Sequence, residues 1–167
     1  MCAGPLDKML LAALIVLPMG AAVSSEADDV RHAAQQFAPI HSQAQLEAEL
    51  AHMSPLSPLA ALSETARARF TRSLRFNETG LATFNYNPIV EELSASQARR
   101  LLALFGVDRV LPSLPGLRAD SEADRTALQS LKRPLPGHPV LEDHPGHQCV
   151  GRANCATSPS FICMSSC

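Results

Sequence analysis

The sequence lacks the motifs that the common classes of enzyme need. It has no G-x-S-x-G nucleophile elbow, no H-E-x-x-H metal pair and no glycine-rich loop that would hold a phosphate. Its adjacent acidic pairs, Asp28-Asp29 and Glu91-Glu92, would point about 100° apart on a helix, so neither pair can form a site locally. We therefore predict that the protein is not an enzyme and that it carries no cofactor.

A strong charge of one sign is also missing. The formal net charge is −2 over 167 residues, whereas a nucleic-acid binder presents a concentrated basic surface. Four neighbouring arginines would spread over roughly 200° of a helix instead of forming one stripe; they are Arg67, Arg69, Arg72 and Arg75. We interpret them as a solvated helix face rather than a phosphate or anionic-lipid site, and we expect no nucleic-acid partner.

No apolar run is long enough to span a bilayer, which takes roughly 20 residues. The longest run, Met9–Leu17, follows the basic Lys8 and is ended by Pro18 and several small residues. These are the parts of a secretory signal peptide. The pattern predicts a signal over residues 1–22, cleaved after Ala22, and a secreted or periplasmic protein that meets the membrane only through this segment. An uncleaved anchor or a buried helix is the alternative.

Cysteine is absent between Cys2, which lies in the predicted signal, and the C-terminal tail, residues 149–167. The tail holds four: Cys149, Cys155, Cys163 and Cys167. In an exported chain an even number of cysteines predicts disulfides, here two, and three pairings exist for four cysteines. Because the rest of the exported chain has no cysteine, we expect the bridges to staple the tail into a unit apart from the core.

Metal binding is the alternative for the tail. His144, His147 and Cys149 form an H-x2-H-x-C pattern, and imidazole with thiolate suits zinc or copper(I). However, oxidation outside the cytoplasm would remove the thiolate. The sequence therefore favours disulfides over a metal site.

The remaining chain divides by composition into three segments. Residues 23–56 predict a helical front that would fray without packing, with helices starting near Ser25 and Ser42. Residues 57–133 predict a compact core domain, and residues 134–148, rich in proline and histidine, predict an extended linker.

The core domain combines helical and strand patterns. A helix is predicted to begin at Ser57-Pro58, a β-hairpin to turn at Asn77-Glu78-Thr79-Gly80, a helix to run from Ser94 to Gly106, and a last helix to open at Ser121. The aromatic residues that should form the core are Phe70, Phe76, Phe84, Tyr86 and Phe105. The predicted fold is α+β, a helix-rich domain with one hairpin, with an all-α fold as the fallback.

Export, a plausible core and missing catalytic motifs together suggest a module that binds another macromolecule, whose identity the sequence leaves open. A second hypothesis is a precursor: a protease cutting the exposed linker would release the tail as a cysteine-rich peptide. A third is metal carriage by the tail. Asn77-Glu78-Thr79 also matches the N-glycosylation pattern.

Overall fold

The computed structural model describes residues 25–131 and 143–167. The predicted signal over 1–22 and most of the predicted linker lie outside the described residues. Within them the fold is α+β, as predicted, with a four-stranded antiparallel sheet. The α-helices are α1 (Ser25–Gln36), α2 (Gln43–Ala51), α3 (Glu64–Ser73), α4 (Asn87–Glu92), α5 (Ala95–Ala103) and α6 (Glu122–Leu131), and 3-10 helices span Pro58–Ala61 and Asp108–Ser113. The strands are β1 (Arg75–Asn77), β2 (Gly80–Asn85), β3 (His144–Gly151) and β4 (Asn154–Cys163).

Most helix starts follow the predicted caps. The Ser42 hydroxyl accepts the Gln45 backbone N–H of α2, and Ser94 forms a capping box with Gln97 at the start of α5. Gly106, with φ +68°, lies just beyond the end of α5, as its sequence position indicated.

The helix predicted from Ser57-Pro58 is interrupted. A 3-10 helix over Pro58–Ala61 ends at Leu62, and α3 begins only after Ser63, whose hydroxyl accepts the Ala66 N–H at 3.2 Å. This second cap interrupts the helix because the Ser63 side chain, instead of a backbone carbonyl of a continuous helix, accepts the Ala66 N–H. The apolar residues of the pattern remain in the core on both sides of the break.

The predicted hairpin is confirmed as β1 and β2. Asn77 pairs with Gly80, which leaves only Glu78 and Thr79 between the strands, so the turn is tighter than the four-residue loop that was predicted. Gly80 has φ +125°, a backbone conformation that favours glycine.

The aromatic cluster forms the centre of the core, as expected. The Phe70 ring makes edge-to-face contacts with Phe84 and Phe105, each at a centroid distance of 5.9 Å, and Phe76 lies 6.4 Å from Phe105. Such pairs add roughly 0.5–1.5 kcal/mol each beyond the burial of their area. They connect α3 and the segment just after α5 with strands β1 and β2.

The expectation that the tail forms a unit apart from the core is wrong. The strand order is β1-β2-β4-β3, so the tail supplies the neighbour of β2 on the side away from β1. Thr83 pairs with Cys163 and Phe84 with Ile162, and Ile162, Cys163 and Met164 are buried. The physical reason is that β2 would otherwise leave its second edge unpaired. Strand β3 also begins inside the predicted linker, at His144.

A buried carboxylate joins the starts of two helices. Asp124, only 2% exposed, accepts hydrogen bonds from the Ser121 N–H (3.0 Å) and hydroxyl (2.6 Å), and from the Ser96 N–H of α5 (2.8 Å). These bonds, the Ser121 hydroxyl first, hold the pKa of Asp124 well below its usual range. Asp124 therefore caps both α5 and α6, and its role is structural.

Candidate binding site between helix α1 and the tail

The two predicted disulfides are present. Cys149 is bonded to Cys167 and Cys155 to Cys163, which is one of the three pairings that the sequence left open. The Cα atoms of Cys155 and Cys163 are 6.0 Å apart, whereas eight residues of straight strand would span about 26 Å. Strand β4 therefore folds back on itself, with Ser160 at φ +69° in the bend. Both bridges lie within the tail and indicate an oxidising environment.

The residues of the predicted metal site lie close together on β3. The rings of His144 and His147 are 6.1 Å apart, but the Cys149 sulfur is bonded to Cys167 and offers no thiolate in this state. The sulfurs of Cys149, Cys163 and Cys167 lie within 4.8 Å of one another. Metal binding remains a prediction for the reduced protein.

Glu91 and Glu92, one of the adjacent acidic pairs singled out from the sequence, contact different residues. Arg69 pairs with Glu91 at 2.5 Å on the surface, while Glu92 accepts the N–H and hydroxyl of Ser63, each at 2.7 Å. Arg72 and Arg75 donate to nearby backbone carbonyls. These contacts are local to α3, α4 and the start of β1.

The last residues of the tail are fixed across the β1–β2 turn and α1. The Asn77 side chain donates to the Ser166 carbonyl at 2.7 Å, and the Ser166 hydroxyl donates to the Leu81 carbonyl at 3.0 Å. Arg31 of α1 donates to the Ser165 hydroxyl at 3.2 Å, and the Ser165 N–H donates to Asp143 at 2.8 Å. The tail and α1 thus form opposite walls of one depression.

This depression, which we call the α1 cleft, has a volume of about 40 Å³. Its polar wall includes Arg31, Arg109, Asp143 and Ser165, and its apolar wall includes Val107, Val110 and Met164. Because a single water needs roughly 10–15 Å³, the cleft has room for one small group of atoms. It is too small to enclose a nucleotide or another whole cofactor.

The described lining of the cleft contains two basic side chains, Arg31 and Arg109, and one acidic side chain, Asp143. Burial raises the pKa of Asp143, although the Ser165 N–H and the charge of Arg31 oppose the shift. Arg109 is exposed, and it makes no hydrogen bond or ion pair with any described residue. Two guanidinium groups and one carboxylate therefore line the cleft.

Helix α1 approaches the fold closely at two glycines. A Cβ at Gly106 would lie 2.3 Å from the Ala34 carbonyl oxygen, and one at Gly80 would lie 3.1 Å from the Gln35 Cβ. Gln35, 6% exposed, is the side chain turned inward. Its Nε2 lies 3.5 Å from the Ser166 hydroxyl, while its Oε1 has no hydrogen-bond partner within the described chain.

As a result, the periodic apolar residues of α1 face outward. Val30 is 46% and Phe37 87% exposed, and Ala34 between them is also exposed and lines the cleft. We call Val30, Ala34 and Phe37 the α1 stripe. Their helical spacing predicted the helix correctly, but a spacing pattern does not state which side faces the core.

Sequence reasoning missed the cleft. Arg31, Gln35 and Arg109 belong to no motif, and Asp143 lies just before the histidine pattern without being part of it. Their proximity depends on the tail folding back onto β2, which no local signal encodes.

Comparison with family models, curated proteins and solved structures finds no match. No helix in the described ranges is long and apolar enough to cross a bilayer.

Proposed function

We propose that the protein is an exported, non-enzymatic binding module whose binding face consists of the α1 stripe and the α1 cleft. The single observation that carries this proposal is the exposure of Phe37 (87%), which directly follows α1 at helical spacing from the exposed Val30, beside a cleft lined by Arg31 and Arg109. Export is supported by the two disulfides and by the signal pattern of residues 1–22.

The chemistry of the face favours a peptide or protein partner. Aromatic and aliphatic side chains exposed side by side are typical of binding surfaces, and the stripe runs directly into the cleft through Ala34. A partner of extended length would cover the stripe and place one group in the cleft. A free small molecule would have little wall to bury against in about 40 Å³.

The alternative of a released tail peptide has less support. Release would withdraw Ile162 and Met164 from the core and break the pairing of β4 with β2. A tail made for release would not complete the sheet of its carrier.

The proposal is tested by selecting binders to the full oxidised protein from a displayed random-peptide library. We expect the selected peptides to lose at least about tenfold in affinity for Phe37→Asp, because a charge replaces an apolar contact. Leu56→Asp is the matched control, since Leu56 is 92% exposed and lies outside the stripe. An unproductive selection, or peptides that bind Phe37→Asp as well as the unaltered protein, would contradict the proposal.

A further inference from the structure

We propose that the two disulfides of the tail exchange partners, from Cys149–Cys167 and Cys155–Cys163 to Cys149–Cys155 and Cys163–Cys167, and that the Cys163 sulfur passes the bond on. The juxtaposition that carries this proposal is a cluster of three sulfurs. Those of Cys149, Cys163 and Cys167 lie within 4.8 Å of one another, although they belong to two different bridges. The exchange concerns the tail alone and does not depend on the binding face.

The two ends of the Cys155–Cys163 bridge differ in exposure. Cys163 is 0% exposed, whereas Cys155 is partly exposed on β4. A small-molecule thiol therefore reaches the Cys155 end, and its thiolate attacks the Cys155 sulfur in the first step of thiol–disulfide exchange. The external sulfur becomes bonded to Cys155, and the electron pair of the broken bond leaves with Cys163, which is released as a thiolate.

The released Cys163 thiolate faces the second bridge. Its sulfur lies within 4.8 Å of both sulfurs of that bridge, so the attack needs a local shift of side chains rather than unfolding. The Cys167 N–H donates to the Met164 carbonyl at 2.9 Å, and this turn already folds Cys167 back toward Cys163. Attack on the Cys167 sulfur forms Cys163–Cys167 and releases Cys149 as a thiolate, which is the nucleophilic form of cysteine.

The register of the β3–β4 hairpin directs Cys149 to Cys155. The two residues lie directly opposite each other, and opposite residues of antiparallel strands have Cα atoms about 4.5–5.5 Å apart. Disulfides join Cα atoms about 4.4–6.8 Å apart. Attack of the Cys149 thiolate on the Cys155 sulfur forms the last bond and returns the external thiolate. Each step breaks one S–S bond and forms another, so the external thiol is a catalyst and no net oxidant or reductant is needed.

The exchange changes which parts of the tail are joined. Cys149–Cys167 now ties the last residue to β3. In the second pairing both bridges are local, one within the hairpin and one within residues 163–167. Ser165 and Ser166 contact α1 and the β1–β2 turn, so the segment that makes these contacts would lose its covalent link to β3.

The attack by Cys163 is tested in the full protein with Cys155→Ser. This variant leaves Cys163 as a free thiol beside the Cys149–Cys167 bridge. It is incubated at about pH 8, where thiols ionise appreciably, and its free thiol is then alkylated in denaturant and located by mass spectrometry. We expect alkylation of Cys149 as well as Cys163, at a rate that does not change with protein concentration because the exchange is intramolecular.

The control variant carries Cys155→Ser, Ala156→Cys and Cys163→Ala. It keeps the Cys149–Cys167 bridge and one free thiol at an exposed position. Side chains alternate along a strand, so residue 156 points to the opposite face of the sheet from residue 155. We expect the alkyl group to stay on residue 156. Exchange as fast as in Cys155→Ser would show that the position of Cys163 is not the cause and would overturn the proposal.

The complete cycle is tested on the unaltered oxidised protein with a catalytic amount of reduced glutathione, a measurement that does not depend on any variant folding. Cleavage after Arg152, Phe161 and Met164 separates the four cysteines, so each pairing yields its own linked fragments. We expect Cys149–Cys155 and Cys163–Cys167 to appear only when the thiol is present.

Three results would contradict the exchange. Alkylation of Cys163 alone in Cys155→Ser would show that Cys163 does not attack the second bridge. Alkylation of Cys167 in place of Cys149 would overturn the second pairing. An unchanged fragment map of the unaltered protein after incubation with the thiol would overturn the cycle as a whole.

Discussion

At the scale of single residues, Asp124 and Asp143 show that the surroundings can shift the pKa of a carboxylate in either direction. Asp124 is buried and fully hydrogen-bonded, and its pKa lies well below the usual range. Asp143 lies in the cleft, and burial raises its pKa. Asp124 stabilises the fold as an anion. By contrast, burial disfavours the ionised form of Asp143 in the cleft.

We predict that Asp124→Asn lowers the melting temperature at pH 7 by about 5 °C, because an amide cannot accept all the hydrogen bonds from Ser121 and Ser96. The lowered pKa of Asp124 means that its contribution to stability is full above the usual value of 3.8 and is lost as the pH falls below it. The difference between the two proteins should therefore shrink below about pH 4. Calorimetry between pH 2.5 and pH 7 measures both effects.

Asp120→Asn is the control, since Asp120 is an exposed carboxylate just before α6 and its replacement should leave the melting temperature within about 1 °C. A difference between the Asp124→Asn and unaltered proteins that stayed constant down to pH 2.5 would show that hydrogen bonding to the anion is not the cause.

At the scale of secondary structure, the elements with local signals were predictable and their placement was not. Ser42, Ser94 and Gly106 mark helix boundaries because caps act within one turn. The break at Ser63 was missed because Leu59, Leu62, Ala66 and Phe70 keep a continuous helical period across it. The outward face of α1 was missed because close contact at Gly80 and Gly106, rather than hydrophobicity, sets its orientation.

The two disulfides should contribute unequally to the stability of the tail. Cys149–Cys167 closes a separation of 18 residues and Cys155–Cys163 one of 8, and loop entropy favours the longer closure. We predict that the double variant Cys149→Ser, Cys167→Ser loses about 3 kcal/mol in free energy of unfolding. Cys155→Ala, Cys163→Ala should lose about 2.5 kcal/mol from loop entropy, with a further loss because Cys163 is buried in the core.

Urea denaturation at fixed pH measures both losses. Unchanged midpoints in both double variants would show that the tail holds its fold through strand pairing alone and that the bridges add nothing to it.

At the scale of the whole molecule, residues 143–167 belong to the core although the described chain before them ends at residue 131. No sulfur links the tail to the remainder; hydrogen bonds and burial hold it. The sequence identified the aromatic centre and the α+β class, because those depend on composition and local period. It did not identify the partner of β2, because Thr83 and Ile162 are 79 residues apart and strand pairing at that distance has no local signature.

We predict that a chain ending at residue 133 loses cooperative unfolding, because β2 then has an unpaired edge and Phe84 loses its neighbour Ile162. By contrast, cutting the full protein at an inserted protease site between residues 137 and 138 should leave the two fragments together. Size-exclusion chromatography without reductant or urea tests this. A tail fragment that elutes alone would instead support release of a peptide, and cooperative melting of the shortened chain would contradict the role given to β4.

The long interval between β2 and β4 also has a consequence for how the protein is made. Synthesis delivers β2 well before residues 161–163, so for that interval the hairpin displays an open edge and an incomplete apolar layer. During this time a foreign strand competes for the same hydrogen bonds. The yield of native protein should therefore depend on how crowded the nascent chain's surroundings are, and co-expressed chaperones that shield strand edges should raise it.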